Sequence, residues 1–212
     1  MVKVKICGIT NTDDAVMAVD MGADALGFIF AESPRQVSPE TARHIIQNLP
    51  PFVRTVGVFV DEDRVSIRDI MGFCRLDMVQ LHGSESPAFC GEFTPRAVKA
   101  FRLKDASSLS SMESYRGYVR AFLLDTYQEG IAGGTGATFD WALARKTRDF
   151  GMPVILSGGL GPSNIRQAVT TVQPYAVDVN SGIEKEPGKK DPALMKALMG
   201  QINSMNRRMI DE

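Results

Sequence analysis

The chain has 212 residues, 44% hydrophobic and 23% charged, with a net charge of -1, which describes folded globular material without a basic field for nucleic acid or an acidic tail for a basic partner. Its three cysteines, Cys7, Cys74 and Cys90, are an odd number without CxxC spacing, which argues against a disulfide framework or structural zinc and for a reducing compartment. No apolar run approaches the ~18 residues needed to span a bilayer and no cleavable leader pattern opens the chain, so the expectation is a cytoplasmic protein with a small-molecule ligand and no membrane contact.

In chain order, Val2 to Ile6 reads as a strand, and Asp13 to Met21 as a helix that stops at Gly22. A second apolar run, Ala25 to Phe30, is followed by a loop from Ala31 to Val37 and a helix opened by Ser38 as N-cap with Pro39 at its first position. The alternation continues with strands at Val53 to Val60, Met78 to Leu81, "RAVKAF" from Arg96, "RAFLLD" from Arg120, "PVIL" from Pro153 and "YAVDV" from Tyr175. Helices are expected at Asp63 to Cys74, Glu85 to Phe93, Asp105 to Tyr115, Phe139 to Phe150 and Pro162 to Val172. A last helix starts at Asp191-Pro192 and sets Leu194, Leu198 and Ile202 on one stripe, its methionines serving as core filler.

Strands alternating with helices imply a parallel sheet, and eight such units imply a single (β/α)8 barrel occupying residues 1–212. An open doubly wound sheet, with five or six strands, would leave two or three units over.

In such a barrel the chemistry collects at the carboxyl ends of the strands. Cys7, His82, Asp125 and Asp178 all fall there. Each has a bland reading: Cys7 as a small core residue, Asp125 as a turn cap, His82 as a loop histidine, Asp178 as a structural acceptor. Glycine-rich turns follow strands seven and eight, "SGGLGPSN" from Ser157 and "NSGIE" from Asn180. Consecutive loops of exposed backbone N–H groups at that end suit a phosphate. The long loop "EGIAGGTGATFDW" after Asp125 reads as a lid over substrate.

These residues resemble the phosphoribosylanthranilate isomerases of tryptophan biosynthesis. The blocks "KICGIT", "ADALGFIF" with "SPRQVSPE", "VGVFV", "VQLHGSE", "LLDT", "GGTGATFDW", "LSGGLGPSNI" and "DVNSGIEKEPGKKD" occur in that family's order along the whole chain. Asn180 departs from the pattern, where the family more often has serine. The resemblance implies an Amadori rearrangement of N-(5-phosphoribosyl)anthranilate to 1-(2-carboxyphenylamino)-1-deoxyribulose 5-phosphate, with neither cofactor nor metal. It also implies Cys7 as general base, Asp125 as general acid and Arg35 on the anthranilate carboxylate. The phosphate would rest on Gly158, Gly159, Ser181 and Gly182, with His82 and Asp178 as further pocket residues, and the chain would work as a monomer or homodimer.

Such chemistry needs a protonated aspartate and an ionised cysteine, the reverse of the ordinary states at neutral pH. Strand alternation puts Lys5 on the face of Cys7, about 7 Å away at ~3.3 Å per residue. Its ammonium group is expected either to hold the thiolate or to pair with an interior carboxylate. Competing functions are another ribose-phosphate barrel isomerase and a catalytically silent phosphate-binding barrel. A metal-dependent epimerase fits poorly, because the chain has only His44 and His82 and His44 reads as a surface residue. Cys74 and Cys90 read as buried small hydrophobes, and Trp141 as a residue packed on the barrel.

Overall fold

The computed structural model describes residues 1–103, 107–125 and 141–211. Eight parallel strands close into a barrel in sequence order: β1 (Lys3–Ile6), β2 (Ala25–Ile29), β3 (Arg54–Phe59), β4 (Met78–Leu81), β5 (Ala97–Arg102), β6 (Ala121–Asp125), β7 (Val154–Ser157) and β8 (Ala176–Val179). The connecting helices are α1 (Thr12–Asp20), α2 (Pro39–Gln47), α3 (Arg64–Cys74), α4 (Pro87–Gly91), α5 (Ser107–Glu113), α6 (Trp141–Lys146) and α7 (Ile165–Val172), and α8 (Pro192–Asp211) follows the last strand. The loop expected to act as a lid falls almost wholly on residues 126–140, outside the described residues, as do the expected helix starts at Asp105 and Phe139. No described helix is long and apolar enough to cross a membrane.

Side-chain parity sorts each strand between two environments. Val4, Ile6, Leu26, Phe28, Phe122, Leu124, Val177 and Val179 point outward into the main core under the helices. The opposite parity fills the barrel with unlike halves. One half is apolar, where Val98, Ala100, Ala121 and Leu123 pack with Met78 and Ile155. The other holds the buried polar groups Lys5, Gln80 and Asp178.

Local chemistry sets the helix starts. Ser38, Asp63 and Ser86 each accept a backbone N–H of the first turn, and Pro39 and Pro87 follow their caps. Cys74 and Cys90 are buried, and His44 is exposed. Burial pushes the Cys90 thiol up to about 11, in keeping with an inert core residue. Trp141 packs partly buried against the main core.

One helical phase differs from expectation. Leu194 is 37% exposed, and the buried stripe of α8 is Met195, Leu198, Met199, Ile202 and Met205. At 3.6 residues per turn, a stripe through Leu198 and Ile202 extends equally to 194 or 195. Pro192 at the helix start leaves position 194 in the first turn, on the side away from the barrel.

A feature absent from the sequence reading follows β8: a 3₁₀ turn (Ser181–Ile183) and a small antiparallel hairpin of β9 (Glu184–Glu186) and β10 (Lys189–Lys190). Pro187-Gly188 turns it, with Gly188 at φ 79°, a pairing typical of a type II turn. The hairpin carries Glu184 and Lys190 back toward β1.

Candidate active site

Cys7 follows β1 directly and its amide donates to Val179 O. The next residue, Gly8, has φ 69°, and a Cβ there would lie 2.5 Å from Asn180 Oδ1 and 2.8 Å from Arg35 Cδ. Glycine is therefore required both by the backbone conformation and by the close approach of two other loops. On β2, a Cβ at Gly27 would lie 2.7 Å from Cys7 Sγ and 3.0 Å from Lys5 Cε. The sulfur and the lysine stem occupy space that a larger residue would fill.

Below Cys7, Lys5 and Asp178 stand side by side in the β1/β8 register. Lys5 Nζ donates to Asp178 Oδ2 at 3.0 Å and to Gln80 Oε1 at 2.8 Å. Gln80 Nε2 lies 3.0 Å from His82 Nδ1, and His82 Nε2 lies 3.4 Å from Asp125 Oδ2. Polar contacts thus run from β8 through β1 and β4 to the last residue of β6. The structure brings Cys7, Asp178, His82 and Asp125 to one end of one barrel. Asp178 Oδ1 is buried and has no partner among the described residues, an arrangement costing about 1–3 kcal/mol unless a ligand hydroxyl or water meets it.

The electrostatics of Cys7 differ from the simpler expectation. Burial pushes the thiol up, and Asp178 pushes the same way, while Lys5 and Lys190 pull it down without overcoming burial. For Lys5, burial works against the charge, yet Asp178 and Cys7 together hold its pKa above the ordinary value. Lys5 thus pairs with an interior carboxylate and acts on the sulfur at the same time. In this state Cys7 is a thiol, because burial, aided by the Asp178 carboxylate, outweighs the pull of the two ammonium groups. If Lys5 is replaced by methionine, the thiol loses a cation and faces an uncompensated Asp178, so the midpoint of Cys7 alkylation against pH is expected to rise. The reaction is followed at the Cys7 peptide by mass spectrometry, and an unchanged midpoint would show that Lys5 has no hold on the sulfur.

A second buried cation was not singled out by the sequence. Lys190 is wholly enclosed, its Nζ donating to Cys7 O at 2.6 Å, Asn180 Oδ1 at 3.0 Å and Glu184 Oε1 at 2.9 Å. Its backbone N–H donates to Asp14 Oδ2. Asn180 therefore supplies an acceptor to this lysine. Arg35 is held in turn, with Nε and Nη2 on the Glu184 carboxylate at 2.7–3.0 Å. Burial alone would raise Glu184, but Arg35 and Lys190 hold its carboxyl below the usual range. The loop carrying Arg35 is shaped by Gln36 Nε2 donating to Phe30 O and by the Arg35 amide donating to Ser33 Oγ.

At the other side of the mouth, Gly158 and Gly159 have φ 92° and 61°, conformations costly for other residues. The β7 and β8 loops touch backbone to backbone: a Cβ at Gly182 would lie 2.0 Å from Leu160 O, and one at Gly161 would lie 3.0 Å from Gly182 O. Asn164 Oδ1 accepts from Gly161 N, and its Nδ2 donates to Gly159 O. Gly158, Gly159, Ser181 and Gly182 thus lie on two loops whose backbones meet at Leu160, Gly161 and Gly182. Among the described residues, no group of three or more His, Cys, Asp or Glu side chains is placed to hold a metal ion.

Known proteins resemble this chain in sequence and in fold. Residues 4–201 match the family model described as N-(5'phosphoribosyl)anthranilate (PRA) isomerase. The chain is 55% identical over 197 residues to the N-(5'-phosphoribosyl)anthranilate isomerase of Geobacter sulfurreducens, covering 92% of this chain and 96% of the relative. It superposes on the crystal structure of phosphoribosyl anthranilate isomerase from Thermotoga maritima with a TM-score of 0.90 at 44% identity, covering 96% of this chain and 100% of the other. A structure of such an isomerase in complex with reduced 1-(o-carboxyphenylamino)-1-deoxyribulose 5-phosphate superposes with a TM-score of 0.86 at 42% identity, again over 96% and 100%. With the family model spanning nearly the whole barrel and relatives this close, the chain belongs to the N-(5'-phosphoribosyl)anthranilate isomerase family.

Proposed function

We propose that this chain catalyses the Amadori rearrangement of N-(5-phosphoribosyl)anthranilate to 1-(2-carboxyphenylamino)-1-deoxyribulose 5-phosphate, with Asp125 as general acid and Cys7 as general base. The observation that carries the residue assignment is the line of polar contacts crossing the barrel mouth from the strand of Cys7 to Asp125. Asp125 gives its proton to the ribose ring oxygen as the C1–O bond breaks. The anthranilate nitrogen supplies the electron pair and becomes a protonated imine. Cys7 then takes the proton from C2, and the C–H electrons form a C1–C2 double bond that neutralises the nitrogen. Ketonisation adds a proton at C1 and removes one from the C2 hydroxyl, so the sum is an isomerisation with no external oxidant. The electron sink is the substrate's own imine, a role that cofactors fill elsewhere.

The resting thiol fits this order of events. Positive charge appears on the imine only after ring opening, beside the carbon that Cys7 must deprotonate, and a nearby cation favours the thiolate. Asp178 Oδ1 offers an acceptor for a sugar hydroxyl. Arg35, with its Nε–Nη2 edge on Glu184, presents its remaining Nη1–Nη2 edge to the anthranilate carboxylate, a two-point grip that lysine cannot make. The phosphate rests on the backbone N–H groups of Gly158, Gly159, Ser181 and Gly182.

The direct test is turnover of N-(5-phosphoribosyl)anthranilate by the purified chain, followed by its loss of fluorescence; no decay above the uncatalysed rate would end this reading. The phosphate seat has its own test. Gly182→Ala drives a methyl into Leu160 O and forces the joined loops apart, so KM is expected to rise on the order of tenfold, about 1.4 kcal/mol, with kcat changing less. Steady-state kinetics checks this, and an unaltered KM would remove the seat from the binding site.

A further inference from the structure

The polar line across the barrel has a direction fixed by its chemistry. A lysine ammonium group can only donate. Lys5 Nζ lies 2.8 Å from one terminal atom of the Gln80 amide, so that atom is the oxygen, since the amide nitrogen would set donor against donor. The other terminal atom is then the nitrogen, which has only hydrogens to offer, and it lies 3.0 Å from His82 Nδ1. Nδ1 must present its lone pair. An imidazole with a bare Nδ1 is neutral and carries its proton on Nε2, the nitrogen 3.4 Å from Asp125 Oδ2. Lys5 is itself fixed by Asp178 at 3.0 Å, and both are buried.

We propose that Gln80 is a positioning residue that passes the polarity of the buried Lys5–Asp178 pair to His82, locking it in the Nε2–H tautomer, with that proton on the nitrogen 3.4 Å from the Asp125 carboxylate. His82 loses no proton in this role. It offers one N–H to the carboxylate left on Asp125 when the acid gives its proton to the ring oxygen, and a hydrogen bond to a charged acceptor is about twice as strong as one to a neutral acceptor. The catalytic benefit rests on the assignment of Asp125 as the acid. The tautomer itself follows from the contacts alone.

Nitrogen NMR of the uniformly ¹⁵N-labelled full chain reads the tautomer directly, because the chain has two histidines and His44, exposed on α2, serves as the free reference. In the ligand-free protein at pH 8, His82 is expected to show a protonated Nε2 and a bare Nδ1, against the averaged pattern of His44. Gln80→Glu replaces the amide donor by an acceptor and is expected to move a proton to Nδ1. Gln80→Leu, which adds no charge beside Lys5, is expected to release His82 to a mixture and to lower kcat about tenfold, with KM changed much less. An Nδ1–H or averaged His82 in the unmodified protein, or an Nε2–H pattern that persists in Gln80→Leu, overturns the proposal. A locked tautomer in a chain that fails to turn over N-(5-phosphoribosyl)anthranilate instead overturns the functional assignment and leaves the lock standing.

Discussion

Cys7→Ala and Asp125→Asn are each expected to reduce kcat by about 10²- to 10⁴-fold, the usual worth of a positioned base or acid, with the fold intact. The two losses have different causes. In the proposed mechanism, alanine at position 7 removes the sulfur that accepts the C2 proton, so the imine forms and returns. Asparagine at position 125 keeps the shape of the side chain but has no acidic proton for the ring oxygen, so the sugar stays closed. Neither change should unfold the barrel. The Cys7 side chain is small, and Asp125 is the last residue of its strand, one pleat above Leu123. Stopped-flow fluorescence with far-ultraviolet circular dichroism on the same samples decides the matter: native spectra with rates near those of the unmodified enzyme in either variant would mean that the acid or the base lies elsewhere. Applied together, the two changes should cost less than the sum of their separate effects, because a base without an opened sugar has nothing to act on.

Lys190→Met is expected to destabilise the protein by about 3–5 kcal/mol, the cost of stripping one partner from a buried ion pair, and to lower Tm on the order of 10 °C. Methionine fills the volume of the stem but leaves Cys7 O and Asn180 Oδ1 without their donor and takes one of two cations from Glu184. Glu184 would then keep the Arg35 guanidinium and the Gly188 amide. A double variant with Glu184→Gln should recover part of the loss, since a neutral amide needs no counter-charge, and the cycle isolates the coupling between the two side chains. Thermal and urea unfolding measure both. A single-variant loss below about 1 kcal/mol, within the range of an exposed pair, would show that the enclosed lysine contributes little to holding the hairpin on β1.

The order of strands and helices could be read from the chain because hydrophobic periodicity and capping are local. Ser38-Pro39 and the runs "VGVFV" and "FLLD" each report on a few neighbouring residues. The barrel follows from the count of units, and with it the placing of Cys7, His82 and Asp125 at carboxyl ends. Parity also sent Lys5 inward, but which partner it meets depends on β1 lying beside β8, a contact across 173 positions. Lys190 was less legible still. In "PGKKD" two adjacent lysines look like a solvated turn, yet one is exposed and the other wholly enclosed. The distinction comes from the hairpin, which folds position 190 against the backbone of Cys7, 183 residues away. Leu194 was misread because periodicity fixes the spacing of a stripe better than its phase.

The missing side chain at position 27 has a consequence for how this enzyme could change. The sulfur of Cys7, the proposed base, fills a notch that β2 provides, so β2 helps to set where that sulfur stands. A single methyl introduced on β2 would press on that sulfur and on the Cys7 backbone, and so shift the proposed base without replacing it. A search for altered substrate preference would therefore do well to begin beside the cysteine, at a residue with no functional group of its own.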